Sequence, residues 1–259
     1  MGCITLLSDF GLQDASVAIT KGLLLQHAPG SNIIDLSHEV IPFNIRQAAY
    51  LLEGAYNKFP AGTCHLAIFD LFSEPIPKLV LVACDGHYFL SPDNGLLPMA
   101  LVNHNGDAWV CFELTKEYGF SDWITAAGNV IRRLQSATPG DITYPPHKLK
   151  KIKPAPVEPN GSVISCEVLH IDHYENVVVN ITQQQFNELR NGRRFRINIM
   201  ELEDVTEISK SYSEVKEGTK LCRFNSNDHL EICVNRGKAA SLFGFRLGSK
   251  HNDIKIIFE

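Results

Sequence analysis

"LLSDFGLQDASVA", residues 6–18, decides the fold of the first half of this chain. An apolar strand-like run from Ile4 to Leu7 stops at Ser8-Asp9. Gly11 then breaks the chain, and Asp14 and Ser16 lead into an apolar-periodic stretch. Strand, polar turn and helix in that order is the repeating unit of an α/β domain. Ligands of a parallel α/β sheet bind at the carboxyl ends of its strands, and Asp9 would stand at such an end. A carboxylate accepts two hydrogen bonds side by side, which suits the vicinal hydroxyls of a ribose. Asp14 reads as the N-cap of a helix over Asp14–His27, with Pro29-Gly30 as its stop; a contact to a ligand ammonium is the sharper alternative. The turn carries neither G-x-G-x-x-G nor a P-loop pattern, so neither phosphate-binding motif is present.

Working outward, residues 1–140 keep alternating in this way and predict an α/β domain with a mainly parallel sheet. Asn32–Leu36 is a strand, and Asn44 caps a helix with Ile45, Ala48, Ala49, Leu52 and Tyr56 at helical spacing. Cys64–Phe69 and Leu79–Cys84 are continuous apolar runs, as strands buried on both faces are. Asp85-Gly86 predicts a hairpin into His87–Leu90, Pro92–Gly95 a turn, Trp109–Leu114 a strand and Asp122–Leu134 a helix. Between Pro139 and Gly161 the composition shifts: six of the 13 prolines fall there, with Lys148, Lys150, Lys151 and Lys153 among them. Proline fixes φ and cannot donate to a ladder, so residues 141–161 read as a stiff, solvated linker. Residues 162–259 are mainly β, with strands at Val163–Ile171, Asn176–Ile181, Phe195–Met200, Lys220–Phe224, Leu230–Val234 and Ile254–Phe258. Short helices are expected near Gln183–Leu189 and Lys238–Phe243, and a small β-barrel or sandwich fits the spacing.

Composition narrows the partners. The 259 residues carry 24 basic and 29 acidic side chains, a formal net charge of −5, which argues against a polyanion such as nucleic acid. No run approaches the roughly 18 apolar residues of a membrane span, and no signal peptide is evident, so a cytoplasmic protein is expected. The seven cysteines form no Cys-x-x-Cys pair and read as buried free thiols, not disulfides or a metal site.

In this order the segments "LLSDFGLQDASVA", "IIDLSHEV" (33–40), "AGTCHLAIFD" (61–70), "GHYFLSPDNGLL" (86–97), "HIDHYENVVVNI" (170–181) and "RFNSNDHLEICVN" (223–235) resemble the S-adenosyl-L-methionine (SAM) hydrolase family. These SAM hydroxide adenosyltransferases are relatives of the fluorinase and chlorinase. The resemblance implies an N-terminal α/β domain, a C-terminal β-barrel and a homotrimer, with SAM as substrate or ligand and no other cofactor. It implies that Asp9 holds the ribose diol and that Asp14 and Ser16 meet the methionine ammonium and carboxylate. From the second domain, Asp172 and Ser226 would contact methionine and Asn176 the adenine edge. Tyr174 and Asn227 complete that set, Asn227 standing where the fluorinase has an arginine. Read without the resemblance, Asp172–Asn176 and Asn225–Asp228 are turns, where Asp and Asn serve the backbone. Asp35 and His38 likewise shape a strand-to-loop turn, as do Asp93-Asn94-Gly95, and His170 and His173 read as core or turn residues.

The implied reaction is attack of water at the ribose C5′ with methionine as leaving group. The thioether departs neutral from a sulfonium and needs no general acid; the site must align the reactants and hold the water in line. Family hydrolases order that water with an Asp-Arg-His set, and Asp70 matches the aspartate. "DLFSEPIPKLV" (70–80) places Pro77 and Lys78 where arginines are expected, and "YGFSDW" (118–123) puts Gly119 at the histidine position. Phe120 falls where the fluorinase has its halide-binding serine, with Ser121 beside it, so halogenation is disfavoured. The sequence therefore supports two readings. One is a weak adenosine-forming SAM hydrolase; the other is a SAM- or adenosine-binding protein that has lost the chemistry.

Overall fold

The computed structural model describes residues 2–101, 107–113, 119–136, 144–152, 157 and 159–259. It resolves into two compact units, Met1–Pro154 and Ala155–Glu259.

The first unit is built on β1 (Cys3–Ser8), β2 (Asn32–Ser37), β3 (Cys64–Ile68), β4 (Lys78–Cys84), β5 (His87–Pro92) and β6 (Asp107–Glu113), ordered β2-β1-β3-β5-β4-β6. β1 is parallel to β2 and β3, and β3 to β5; β4 alone runs the other way, antiparallel to β5 and β6. The helices are α1 (Ser16–His27), α2 (Ile45–Tyr56), α3 (Leu96–Ala100) and α4 (Phe120–Ser136). Successive residues of a strand point to opposite faces, and both faces here are covered. Ile4 and Leu6 join a core with Leu24 and Trp123, while Leu7 joins another with Ala48, Leu52 and Leu97. That double burial is why β1, β3 and β4 read as mainly apolar runs, with Thr5 and His65 as the polar residues inside β1 and β3. One polar line crosses the sheet: Thr5 Oγ1 lies 2.8 Å from His65 Nδ1, and His65 Nε2 lies 3.1 Å from His87 Nδ1. Burial holds His65 neutral, its pKa pushed down to about 3.

Two local expectations need correction. The first helix begins at Ser16, with Ala15 at the N-cap and no side-chain cap. Asp14 precedes it and accepts the Ser16 N–H at 2.8 Å, an Asx turn leading into the helix in place of a true cap. Residues 144–152, composed like a free linker, instead bind the first unit. His147 N–H donates to the Ala108 carbonyl at 2.9 Å, and Asp93 takes His147 Nε2 at 2.7 Å and the Lys150 N–H at 2.9 Å. The helix capped by Asn44 and the Asp85-Gly86 hairpin, with φ of 51° and 77°, form as expected. Leu114, Lys153 and Tyr118 fall outside the described residues.

The second unit holds two antiparallel sheets. One, ordered β13-β14-β10-β9, comprises β9 (Val168–Ile171), β10 (Val177–Thr182), β13 (Lys220–Phe224) and β14 (His229–Val234). The other, ordered β12-β11-β15-β8-β7, comprises β7 (Pro159–Asn160), β8 (Val163–Cys166), β11 (Phe195–Ile199), β12 (Glu203–Val205) and β15 (Ile254–Phe258). The single strand expected over Val163–Ile171 is two strands in different sheets. The break falls at Glu167, whose N–H leaves the ladder for Asn180 Oδ1 at 2.7 Å. Inner faces of both sheets share one core, including Ile164, Val179, Ile197, Ile232, Phe186 and Ile256. Helix α5 (Gln183–Arg190) starts with a capping box between Thr182 and Gln185, and α6 (Ala239–Phe243) ends at Gly244 in the left-handed conformation.

Candidate functional site

In the first unit, the carboxyl ends of β1 and β3 are neighbours, since Ser8 pairs with Ile68. Asp9 and Asp70 follow those ends, and the Asp70 N–H donates to Asp9 Oδ2 at 3.1 Å. Asp70 has φ of 45°, a left-handed conformation that aspartate tolerates better than most residues. The strand end before it is fixed by buried Asn94, whose Nδ2 donates to the Phe69 carbonyl at 2.6 Å. Asn94 Oδ1 accepts the Leu96 N–H at 3.2 Å, so its amide serves the backbone at both ends. Burial raises the Asp9 pKa above its ordinary value, opposed by the hydrogen bond from Asp70 N–H and assisted by the Asp70 charge. A carboxylate offers about four lone-pair positions, so the backbone bonds from the Asp70 N–H and its own N–H leave room for a ligand diol.

Asp14 and Ser16 lie in the same β1–α1 connection, Asp14 exposed and Ser16 half-buried. The Ser16 N–H holds the Asp14 carboxyl below its usual range. Lys78 opens β4 and so stands at the same end of the sheet, because β4 is antiparallel to β5. Gly119 is exposed, and its N–H donates to Asp122 Oδ2 at 2.9 Å, one turn into α4. A second cation was missed by sequence reasoning. Lys150 Nζ bonds Glu74 Oε1 at 2.7 Å, and its pKa is raised first by that bond and further by the charges of Asp93 and Asp70. Only the docking of residues 144–152 brings it there, so no motif could have revealed it.

Phe43 was missed as well. Ile41–Asn44 is a turn closed by the Asn44 N–H to the Ile41 carbonyl at 3.0 Å, with Phe43 at φ 67° and 81% exposed. Such a turn ordinarily has glycine at its third position. The signal was "IPFN" itself, a Pro-Phe where Pro-Gly is the unstrained choice. With Leu12 and Phe72, also exposed, Phe43 leaves apolar surface on the loops that follow β1, β2 and β3.

In the second unit, Asp172–Asn176 is the tight β9–β10 turn. Asp172 Oδ1 accepts the Asn176 N–H at 2.8 Å and its Oδ2 accepts Asn176 Nδ2 at 2.9 Å. The same Nδ2 donates to Tyr212 Oη at 3.1 Å, so both amide hydrogens of buried Asn176 are used inside the protein. Tyr174, at the tip, is 73% exposed. Ser226 and Asn227 lie in the β13–β14 turn, organised by Asn225 Oδ1, which accepts the Asn227 and His229 N–H groups at 2.9 and 3.1 Å. By register this turn is at the Thr182 end of β10 and the Asp172–Asn176 turn at its Val177 end.

Arg223 and Glu231, paired across β13 and β14, stand between the two turns. Arg223 Nη1 is 3.6 Å from Glu231 Oε2, and its guanidinium lies 5.2 Å from the Tyr212 ring centre. Burial raises the Glu231 pKa, Arg223 counters it, and the charge of Asp172 adds to the rise. Arg223 and Glu231 lie in the 223–235 segment but were not singled out there; strand pairing brings the two together, and Tyr212, in the 3-10 turn Tyr212–Glu214, joins them only in the fold.

Glu175 anchors the tip of the first turn. Its carboxylate takes Lys238 Nζ at 2.8 Å, the Ser241 N–H at 3.0 Å and the Ser241 hydroxyl, and these bonds depress its pKa to about 2. A depressed carboxyl pKa stabilises the fold above the unfolded pKa, about 4.3, and that contribution disappears as pH falls through the folded value. Glu175→Gln is therefore expected to melt earlier than wild type at pH 7. The gap should close between about pH 4.3 and pH 2 in thermal melts at stepped pH.

A mainly parallel α/β unit with acidic residues at its strand ends, followed by an antiparallel unit with polar turns, defines a small-molecule-binding class. Residues 4–127 match the SAM hydroxide adenosyltransferase N-terminal domain and residues 166–252 the C-terminal domain of the same family, and the chain belongs to that family. It is 29% identical to a Thermus thermophilus protein named (R)-S-adenosyl-L-methionine hydrolase, over 93% of this chain and 95% of the relative. A Salinispora tropica protein of that name is 27% identical over 95% of both chains. The crystal structure of an uncharacterized conserved protein from Thermotoga maritima superposes with a TM-score of 0.82 at 24% identity, covering 98% of this chain and 99% of that one.

Proposed function

We propose that this protein is an adenosine-forming SAM hydrolase of low turnover. In the reaction, water oxygen bonds to C5′ as the C5′–S bond breaks. The bonding pair leaves with sulfur as the neutral thioether of methionine, and the attacking water loses a proton to the carboxylate of Asp70 or to solvent. The observation that carries this reading is the Asp70 N–H on the Asp9 carboxylate at 3.1 Å, which holds a diol acceptor and a water-ordering carboxylate side by side. The hydrolase names of the relatives support it. Lys78 and Lys150 offer point charges in place of a rigid arginine fork, and Gly119 offers no imidazole, so slow chemistry follows.

Asp14, Ser16, Asp172, Tyr174, Ser226 and Asn227 are assigned to the methionine and nucleoside ends of the ligand. Asn176, its N–H groups occupied, serves mainly to orient Asp172. The two antiparallel sheets of the second unit are read as walls of a barrel. The assembly is a homotrimer in which each site takes residues from two subunits; exposed Leu12, Phe43, Phe72, Tyr174 and Leu242 are the surfaces such packing would cover. Halogenation is not assigned. Buried Cys64, Cys84, Cys166, Cys222 and Cys233, all free thiols, suit the reducing cytoplasm. Among the described residues, no helix is long and apolar enough to cross a membrane.

Incubation of the purified protein with SAM, followed by chromatography, tests the reading. Adenosine and methionine are expected in equal amounts. A second reading, binding without chemistry, is supported by the expectation that Gly119 stands at the histidine position; it predicts tight SAM binding with neither product. Absence of both binding and product would sink both.

A further inference from the structure

His38 holds the loop that carries Asp9 from two sides. The parallel register of β1 and β2 slips between Leu6 and Leu7, which pair with Asp35 and Ser37, so Leu36 is bulged out. Bulges beside functional sites re-aim the residues that follow. Here the next residue beyond β2, His38, is 4% exposed and lies against the end of β1. Its Nδ1 is 2.7 Å from Ser8 Oγ, and its carbonyl accepts the Gly11 N–H at 2.7 Å. Ser8 Oγ also receives the Phe10 N–H at 3.5 Å. Residues 8, 10 and 11, on both sides of Asp9, are thus tied to one histidine.

The far side of the ring is anchored as well. His38 Nε2 lies 3.1 Å from Asp35 Oδ1, with its N–H off the direct line, and Asp35 Oδ2 takes Lys21 Nζ of α1 at 2.6 Å. A carboxylate beside Nε2 favours the proton there, which leaves Nδ1 to accept from the Ser8 hydroxyl. The line Lys21–Asp35–His38–Ser8 therefore runs from a helix and an edge strand into the ligand loop.

A serine, histidine and aspartate in sequence invite comparison with a nucleophilic triad, and two facts exclude it. Ser8 is fully buried, and it meets Nδ1 while the aspartate meets Nε2, the reverse of the hydrolytic arrangement. The serine is a strut.

We propose that His38 is a positioning residue for ribose recognition: through Ser8 and Gly11 it sets the orientation of the Asp9 carboxylate toward a ligand diol. The proposal rests on the assignment of Asp9 to the ribose. A carboxylate aimed at two hydroxyls must be held to a fraction of an ångström, and second-layer hydrogen bonds supply that constraint. If the aim is lost, selectivity for the diol falls more than affinity for the rest of the nucleoside.

The test compares adenosine with 2′,3′-dideoxyadenosine by calorimetry, on wild type, His38→Ala, His38→Asn and Ser8→Ala, with melting temperatures recorded. Wild type is expected to prefer adenosine by roughly ten- to a hundredfold, the worth of hydrogen bonds to a charged acceptor. His38→Ala and Ser8→Ala should reduce that preference to about threefold or less, roughly the effect of one weak hydrogen bond. His38→Asn should recover much of it, because the asparagine amide overlays Nδ1 and can still engage Ser8. A purely structural role predicts lower melting temperature with the preference intact, and that result overturns the proposal. If His38→Ala does not fold, Ser8→Ala decides: full preference in that variant overturns the proposal. Wild type indifferent to the diol would remove the ribose assignment and the proposal together. Wild-type preference retained in both variants removes the proposal alone.

Discussion

Asp70→Asn is expected to slow adenosine formation from SAM by about a hundredfold or more, while SAM affinity changes by less than about threefold. The separation follows from how Asp70 is used. Its backbone N–H donates to Asp9, whereas its carboxylate, which takes no hydrogen bond among the described residues, is the group proposed to order the attacking water. Asparagine tolerates φ of 45° nearly as well as aspartate, so the backbone and its bond to Asp9 survive the exchange. Alanine at this conformation would add strain of about 1 kcal/mol and confuse the two effects. A group acting mainly in the transition state changes turnover and leaves ground-state affinity alone. Single-turnover kinetics with independently measured SAM affinity reads both quantities. Equal turnover in wild type and variant would show that Asp70 does not order the water. Lys78→Arg in the wild-type background should gain little, because no imidazole stands at Gly119 and groups that act as a unit are not additive.

The parts of the fold that were legible are those in which local chemistry and burial agree. Leu66 and Ala67 face different cores, which is the double cover that the continuous run Cys64–Phe69 implied. Asp85-Gly86 needs left-handed dihedrals at both positions, and only a tight hairpin uses them that way. Asp9 was found from its place after an apolar run and Asp70 from the family resemblance, and the parallel pairing of β1 with β3 joins them. Features created by long-range pairing were not legible. The break at Glu167 depends on Asn180, thirteen residues on, in a neighbouring strand. The cluster of Tyr212, Arg223 and Glu231 exists only once β13 and β14 are zipped. Residues 144–152 carry linker composition because proline and lysine also suit an extended strap on a surface, and composition does not distinguish a docked strap from a free one. Asp14 misled by two residues for a simpler reason: an Asx turn and an N-cap use the same side chain in nearly the same place.

Asp9 gives the second large effect, and here stability and function should move in opposite directions. Asp9→Asn is expected to weaken SAM and adenosine by roughly ten- to a hundredfold, matching about 1.5–3 kcal/mol for hydrogen bonds to a charged acceptor. Burial raises the Asp9 pKa, so its ionised form is disfavoured in the folded protein. By linkage, a carboxyl group whose folded pKa lies above the unfolded value favours the fold when protonated, and that contribution is lost as pH rises through the folded pKa. At pH 7 the charged Asp9 therefore opposes folding, and the asparagine variant should melt no lower than wild type. Binding has the reverse pH dependence, because the diol needs the ionised acceptor. Wild-type affinity for adenosine should decline on acidification at a pH above the ordinary aspartate value of about 3.9, and the variant should lack that limb. Calorimetric titrations from pH 7 downward, with melting curves at each pH, measure both. A variant that melts lower than wild type yet binds adenosine equally well would make Asp9 a turn residue, and the ribose would have to be held elsewhere.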